Sequence, residues 1–204
     1  MSGGVVRPVE GPAVGRSPVA SLALCGVMAA LLAVGSWVSI PLYPVPLTLQ
    51  TLVVLVAGGL LGRAFGPVST VVYVLVGLVG VPVFAGGEAG PGVLLGPKGG
   101  YLVGFVLAAF IMGWAGDATR AARRVPAVSR FSRWWRLALG AVVASLLIYA
   151  AGVPWLAAVT GMGWRAAVTV GMLPFLIGDA VKAAAAVVLI RAVDDALAGQ
   201  GLRQ

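Results

Sequence analysis

The sequence contains no histidine and a single cysteine, Cys25, among its 204 residues. One thiol cannot close an internal disulfide, so no disulfide framework supports the fold and the redox compartment stays unread. A zinc or copper site lacks its usual ligands, and no metal is expected. Charge is the second scarcity. Asp, Glu, Lys and Arg together supply 10% of positions, too little polar surface to clothe a water-soluble globule. None of the four occurs between Arg16 and Arg63, from Ala64 to Gly87, from Gly99 to Gly116, from Leu137 to Trp164, or from Ala166 to Gly178.

Apolar residues fill those gaps, at 60% of the chain against about 45–50% in soluble domains. A bilayer core of ~30 Å takes about 20 mostly apolar residues per helix, which leaves material for about six spans and no soluble domain. The runs are continuously apolar, whereas membrane barrel strands alternate, so the spans are helices. The expected fold class is therefore all-α, a polytopic membrane protein with a six-transmembrane-helix bundle. Spans are placed at 18–40, 47–62, 67–80, 100–114, 137–156 and 174–192. A flexible tail over 1–17 precedes them and a second tail over 193–204 follows. Prolines 41, 44 and 46 close the first span, because proline cannot donate the next helical hydrogen bond. Arg7 and Arg16 ahead of an apolar run mimic a signal peptide, but the five spans behind it mark a retained helix.

The net charge of +8 raises nucleic acid as a partner. Its placement argues against one: Arg120, Arg123, Arg124, Arg130, Arg133 and Arg136 crowd one inter-span segment, as positive charge does at cytoplasmic loops. Putting the N-terminus inside leaves only Lys98 and Arg165 on the outer face, so both termini are expected in the cytoplasm.

Three groups of residues point to chemistry. Asp179 and Lys182 sit i to i+3 within the last span, on one helix face. Charge near the bilayer centre costs at least ~2.5 kcal/mol per group, so the two need partners or a wet cavity. Either they neutralise each other structurally or they line a pocket for a polar ligand. The second group is the Gly-rich outer loop between the third and fourth spans, 80–101. Gly86 and Gly87 let backbone approach a ligand closely, Lys98 and Tyr101 offer polar contacts, and Phe84 an apolar wall; the plain alternative is a solvent-exposed linker. A phosphate-binding loop is excluded, since Lys98 is followed by Gly99 rather than Ser or Thr. Third, Gly26 with Ala30, and Ala29 with Ala33, form small-xxx-small pairs that suit close helix contact, internal or with a partner. No catalytic residues emerge. An intramembrane hydrolase would need a histidine, a reactive thiol or a second acid beside Asp179.

Several segments resemble the BioY family. They are Ile-Pro-Leu (40–42), Val-Pro-Leu-Thr-Leu-Gln-Thr-Leu (45–52), Tyr73 to Phe84, Leu-Leu-Gly-Pro-Lys-Gly-Gly-Tyr-Leu-Val-Gly-Phe (94–105) and Pro-Phe-Leu-Ile-Gly-Asp-Ala-Val-Lys (174–182). The likeness runs from Ala20 to Ile190. It implies a biotin-capturing S component of an energy-coupling factor (ECF) transporter in a bacterial cell membrane, surrounded by lipid. The implied partners are a transmembrane coupling subunit and two ATPase subunits, the chain having no Walker motif of its own. Biotin would be the transported ligand, with no cofactor; another small vitamin is the alternative. The family's Asp and Lys fall on Asp179 and Lys182, its loop base on Lys98, and its docking stripe on Ala29 and Ala33. Where relatives often carry a polar residue after Pro-Val-Phe, this chain has Ala85-Gly86-Gly87. Whether Lys182 or Lys98 meets the biotin carboxylate stays open at this level.

Overall fold

The computed structural model describes residues 18–123, 125 and 129–199. The expected tail over 1–17, the last residues 200–204, and Arg124 lie outside the described residues. Helix α1 (Pro18–Trp37) leads into a short hairpin, β1 (Ser39–Ile40) and β2 (Leu47–Thr48), and then α2 (Gln50–Leu78). The rest is α3 (Pro91–Leu95), α4 (Gly99–Arg123), α5 (Arg130–Thr160), α6 (Trp164–Gly171), a 3-10 turn (Leu173–Phe175) and α7 (Leu176–Gly199). The hairpin pairs Ser39 with Thr48 and Ile40 with Leu47, antiparallel, and its turn holds the three prolines.

Among the described residues, 5 helical stretches are long and apolar enough to cross a membrane: α1, α2, α4, α5 and the run through α6 and α7. One of them makes two passes. At Gly62, φ 80 and ψ −179 break α2, and the chain turns back so that a Cβ on Gly66 would lie 2.7 Å from the Cα of Gly58. The Gln50 amide reaches the Tyr73 hydroxyl across a separation of 23 residues, which a straight helix rising 1.5 Å per residue would hold about 34 Å apart. Second and third spans are thus separate arms, with their turn in the expected 62–67 segment, and the bundle has six passes.

The helices run further than the charge pattern suggests. The fourth span, expected over 100–114, extends to Arg123; the fifth, expected over 137–156, is Arg130–Thr160; and α7 carries helix to Gly199 through most of the expected 193–204 tail. The segment 116–136, taken as a basic loop, is therefore mostly helix. The reason is pairing. Arg120 meets Asp117 at 2.7 Å and Asp194 at 3.6 Å, and Arg123 pairs with Asp195. Neutralised partners on α4 and α7 remove the need for these side chains to leave the helices for water. Helix α6 is a further departure, an eight-residue segment lying inside what the sequence reads as a connection.

Small residues let the passes close up. A Cβ on Gly58 would come within 2.5 Å of the Ala109 carbonyl, and one on Gly104 within 2.8 Å of the Ile148 Cα, so α2, α4 and α5 pack backbone against backbone. Alternation of the six passes gathers the β-hairpin, the 79–98 loop and the 161–175 connection at one end. Gly62, the C-terminal end of α4, the N-terminal end of α5 and both ends of the described chain lie at the other.

Candidate functional site

A cavity opens at the hairpin end of the bundle, lined by Val45 to Thr48 and by residues of α2, α4, α5 and α7. Its floor is charged. Asp179 and Lys182, 7% and 8% exposed, both face it. Lys182 Nζ lies 2.7 Å from Asp179 Oδ1 and donates to the Thr48 carbonyl at 2.7 Å. The Tyr149 hydroxyl donates to Asp179 Oδ2. The pair is neutralised as a structural ion pair would be, and it also lines the cavity. An ammonium has three N–H donors; these bonds commit two of those on Lys182. Tyr149, having donated its proton, keeps oxygen lone pairs for a ligand N–H.

A second polar chain lines the side wall. Thr48 Oγ1 donates to Gln50 Oε1 at 3.1 Å, Gln50 Nε2 donates to the Tyr73 hydroxyl, and Tyr73 donates to the Val83 carbonyl at 3.1 Å. Ser36 Oγ donates to the same carbonyl at 2.6 Å. The strand of loop before Phe84 is thus pinned to α1 and α2. Phe84 stands edge-on to Tyr73, centroids 5.6 Å apart at 89°, as aromatic quadrupoles prefer. Its ring seats against Gly77, where any side chain would collide with it.

The mouth carries Lys98. Its Nζ lies 2.8 Å from Glu88 Oε1 and donates to the Ala85 carbonyl at 3.1 Å. Tyr101, on α4, donates to the Gly171 carbonyl at 2.8 Å and presents its ring to the cavity.

Of the residues singled out in the sequence, Asp179, Lys182, Lys98, Tyr101 and Phe84 converge on this cavity. Gly86 and Gly87 do not line it. They form the turn after Phe84, where the Gly87 amide donates to the Phe84 carbonyl at 3.0 Å and both glycines have positive φ. The α1 stripe divides: Ala29 is buried in the core and Ala33 packs against it, whereas Gly26 and Ala30 are exposed on the outer face. Sequence reasoning did not select Thr48, Gln50, Tyr73 or Tyr149. Thr48, Gln50 and Tyr73 stand within the quoted segments, Gln50 as the lone amide of its span, a signal that was present; Tyr149 has none beyond its hydroxyl.

Comparison with known proteins gives the family. The family model described as "BioY family" matches residues 10–199. A biotin transporter of Thermotoga maritima is 41% identical over 158 residues, covering 77% of this chain and 85% of the relative. A probable biotin transporter of Pyrococcus horikoshii is 37% identical over 168 residues, covering 82% of this chain and 92% of the relative. A solved structure, the S-component for biotin from an ECF-type ABC transporter, aligns with a TM-score of 0.73 at 27% identity, over 87% of this chain and 92% of that one. The same fold, a family match across nearly the whole chain and relatives above a third identical lead to one conclusion: this multi-pass membrane protein belongs to the BioY family.

Proposed function

We propose that the chain captures biotin from outside the cell as the substrate-binding S component of an ECF-type transporter. The observation that carries this is the Asp179–Lys182 pair, held by Tyr149 and the Thr48 carbonyl at the floor of a cavity open at the hairpin end. A ureido ring presents N–H donors and a carbonyl acceptor side by side, and this floor offers lone pairs on Tyr149 and Asp179 beside the third N–H of Lys182. Apolar walls of Phe84, Leu102, Phe105 and Ile148 suit a fused ring and an alkyl chain. Lys98, a cation at the mouth, suits a carboxylate. The ring therefore points inward and the acid outward.

The role is transport without turnover, as the named relatives' role is. ATP hydrolysis would come from partner subunits docked through a membrane coupling protein. Among the exposed small residues of α1, Gly26 and Ala30 stand one turn apart and suit that contact. The arginines gathered at the end opposite the cavity favour a cytoplasmic placement of both termini. Equilibrium binding of labelled biotin to the purified chain in detergent tests the proposal, with thiamine and riboflavin as competitors. Tight, biotin-selective binding is expected; preference for either competitor would reassign the ligand.

A further inference from the structure

A second hollow lies immediately outside the cavity, between the proline-rich turn of the β-hairpin and the 85–98 loop. The two spaces share Pro46, Ala85, Val93 and Lys98, so they adjoin. Missing side chains make its room. Gly92 and Gly96 line one wall, and a Cβ on Gly92 would meet nothing within 4 Å. Tyr43 and Pro44 form the other wall. The Lys98–Glu88 ion pair stands where the two adjoin, and its acid is half exposed. Ion pairs this wet contribute little and open readily.

We propose that this hollow receives a substituent carried on the ligand's carboxyl group, so that the chain accepts biotin amides, biotinyl-lysine above all, alongside free biotin. The inference rests on the inward-ring orientation given above. An amide at the acid end keeps a carbonyl oxygen that Lys98 can donate to, and loses only the ionic part of that contact. The lysine stem then runs along the glycine-lined wall. Its amino-acid head, carrying an ammonium and a carboxylate, stays in water beyond the open rim.

Displacement of labelled biotin from the detergent-purified full chain tests this. Biotinyl-lysine is expected to compete with an affinity within about tenfold of free biotin. Gly92→Trp adds an indole at a residue that lines the hollow and not the inner cavity, and should weaken biotinyl-lysine at least about tenfold while leaving free biotin unchanged. Ala89→Trp, from the same wall, gives an independent obstruction should the first variant fold poorly. The proposal is overturned if biotinyl-lysine fails to displace bound biotin, or if the obstructing variants weaken both ligands equally. Failure of free biotin itself to bind would instead remove the functional reading on which it stands.

Discussion

Lys182 Nζ donates to the Thr48 carbonyl at 2.7 Å across a separation of 134 residues. That bond ties α7 to the foot of the β-hairpin, while the same ammonium neutralises Asp179. The charged floor is thus also a structural joint between two elements that frame the cavity.

Removing one member of this pair should therefore harm both stability and binding, and the two effects can be separated. Lys182→Met leaves Asp179 buried without its cation, which costs about 3–5 kcal/mol when a buried pair is broken. The double variant Asp179→Asn with Lys182→Met removes both charges and should recover most of the thermal stability in detergent. Biotin affinity should remain at least about 100-fold weaker in the single and double variants alike. Binding recovered together with stability would show that the pair supports the fold and does not touch ligand.

Tyr149→Phe keeps the ring and deletes the hydroxyl that donates to Asp179. A hydrogen bond to a charged group contributes about 1.5–3 kcal/mol, so biotin affinity by calorimetry should fall roughly 10- to 100-fold. An unchanged affinity would take Tyr149 out of the ligand's reach.

Such residues explain which parts of the site a reader of the sequence can find. Asp179 and Lys182 stand out because charge in a long apolar run is costly and so demands a reason. Tyr149 and Tyr73 do not, because a phenol is half apolar and belongs in such runs without comment. Thr48 enters partly through its backbone carbonyl, which no sequence displays. The arms of α2 are legible from Gly62 and Pro67, but the ends of α4 and α7 are not. Arg120 and Arg123 read as loop charges until Asp194 and Asp195 are seen beside them from another helix. Long-range pairing, more than local propensity, sets those helix lengths.

Gly62 makes the tight reversal between the arms of α2 with φ 80, and a Cβ there would fall 2.5 Å from Asp117 Oδ1. Gly62→Ala thus combines backbone strain of about 1–3 kcal/mol with displacement of the carboxylate that accepts from the Arg63 amide at 3.0 Å. Gly80 also has positive φ, at 105, yet a Cβ on it meets nothing within 4 Å. Melting in detergent should drop more for Gly62→Ala than for Gly80→Ala. Equal losses would mean that strain alone acts and that the Asp117 contact is immaterial.

The two small-residue pairs of α1 face different surroundings, and substitution should separate them. Ala29 is buried against the bundle, so Ala29→Leu overpacks the core at about 1–3 kcal/mol and should lower stability. Gly26 and Ala30 are exposed, and a Cβ on Gly26 meets nothing within 4 Å. Gly26→Leu and Ala30→Leu should leave both melting and biotin binding intact, since a leucine facing lipid costs nothing there. If this face receives the coupling subunit, however, the added bulk holds the two helix backbones apart, and small residues are what permit their approach. Co-purification with the coupling subunit and uptake in cells should then fail while binding by the isolated chain persists. Assembly retained in both variants would move the docking surface to another face of the bundle.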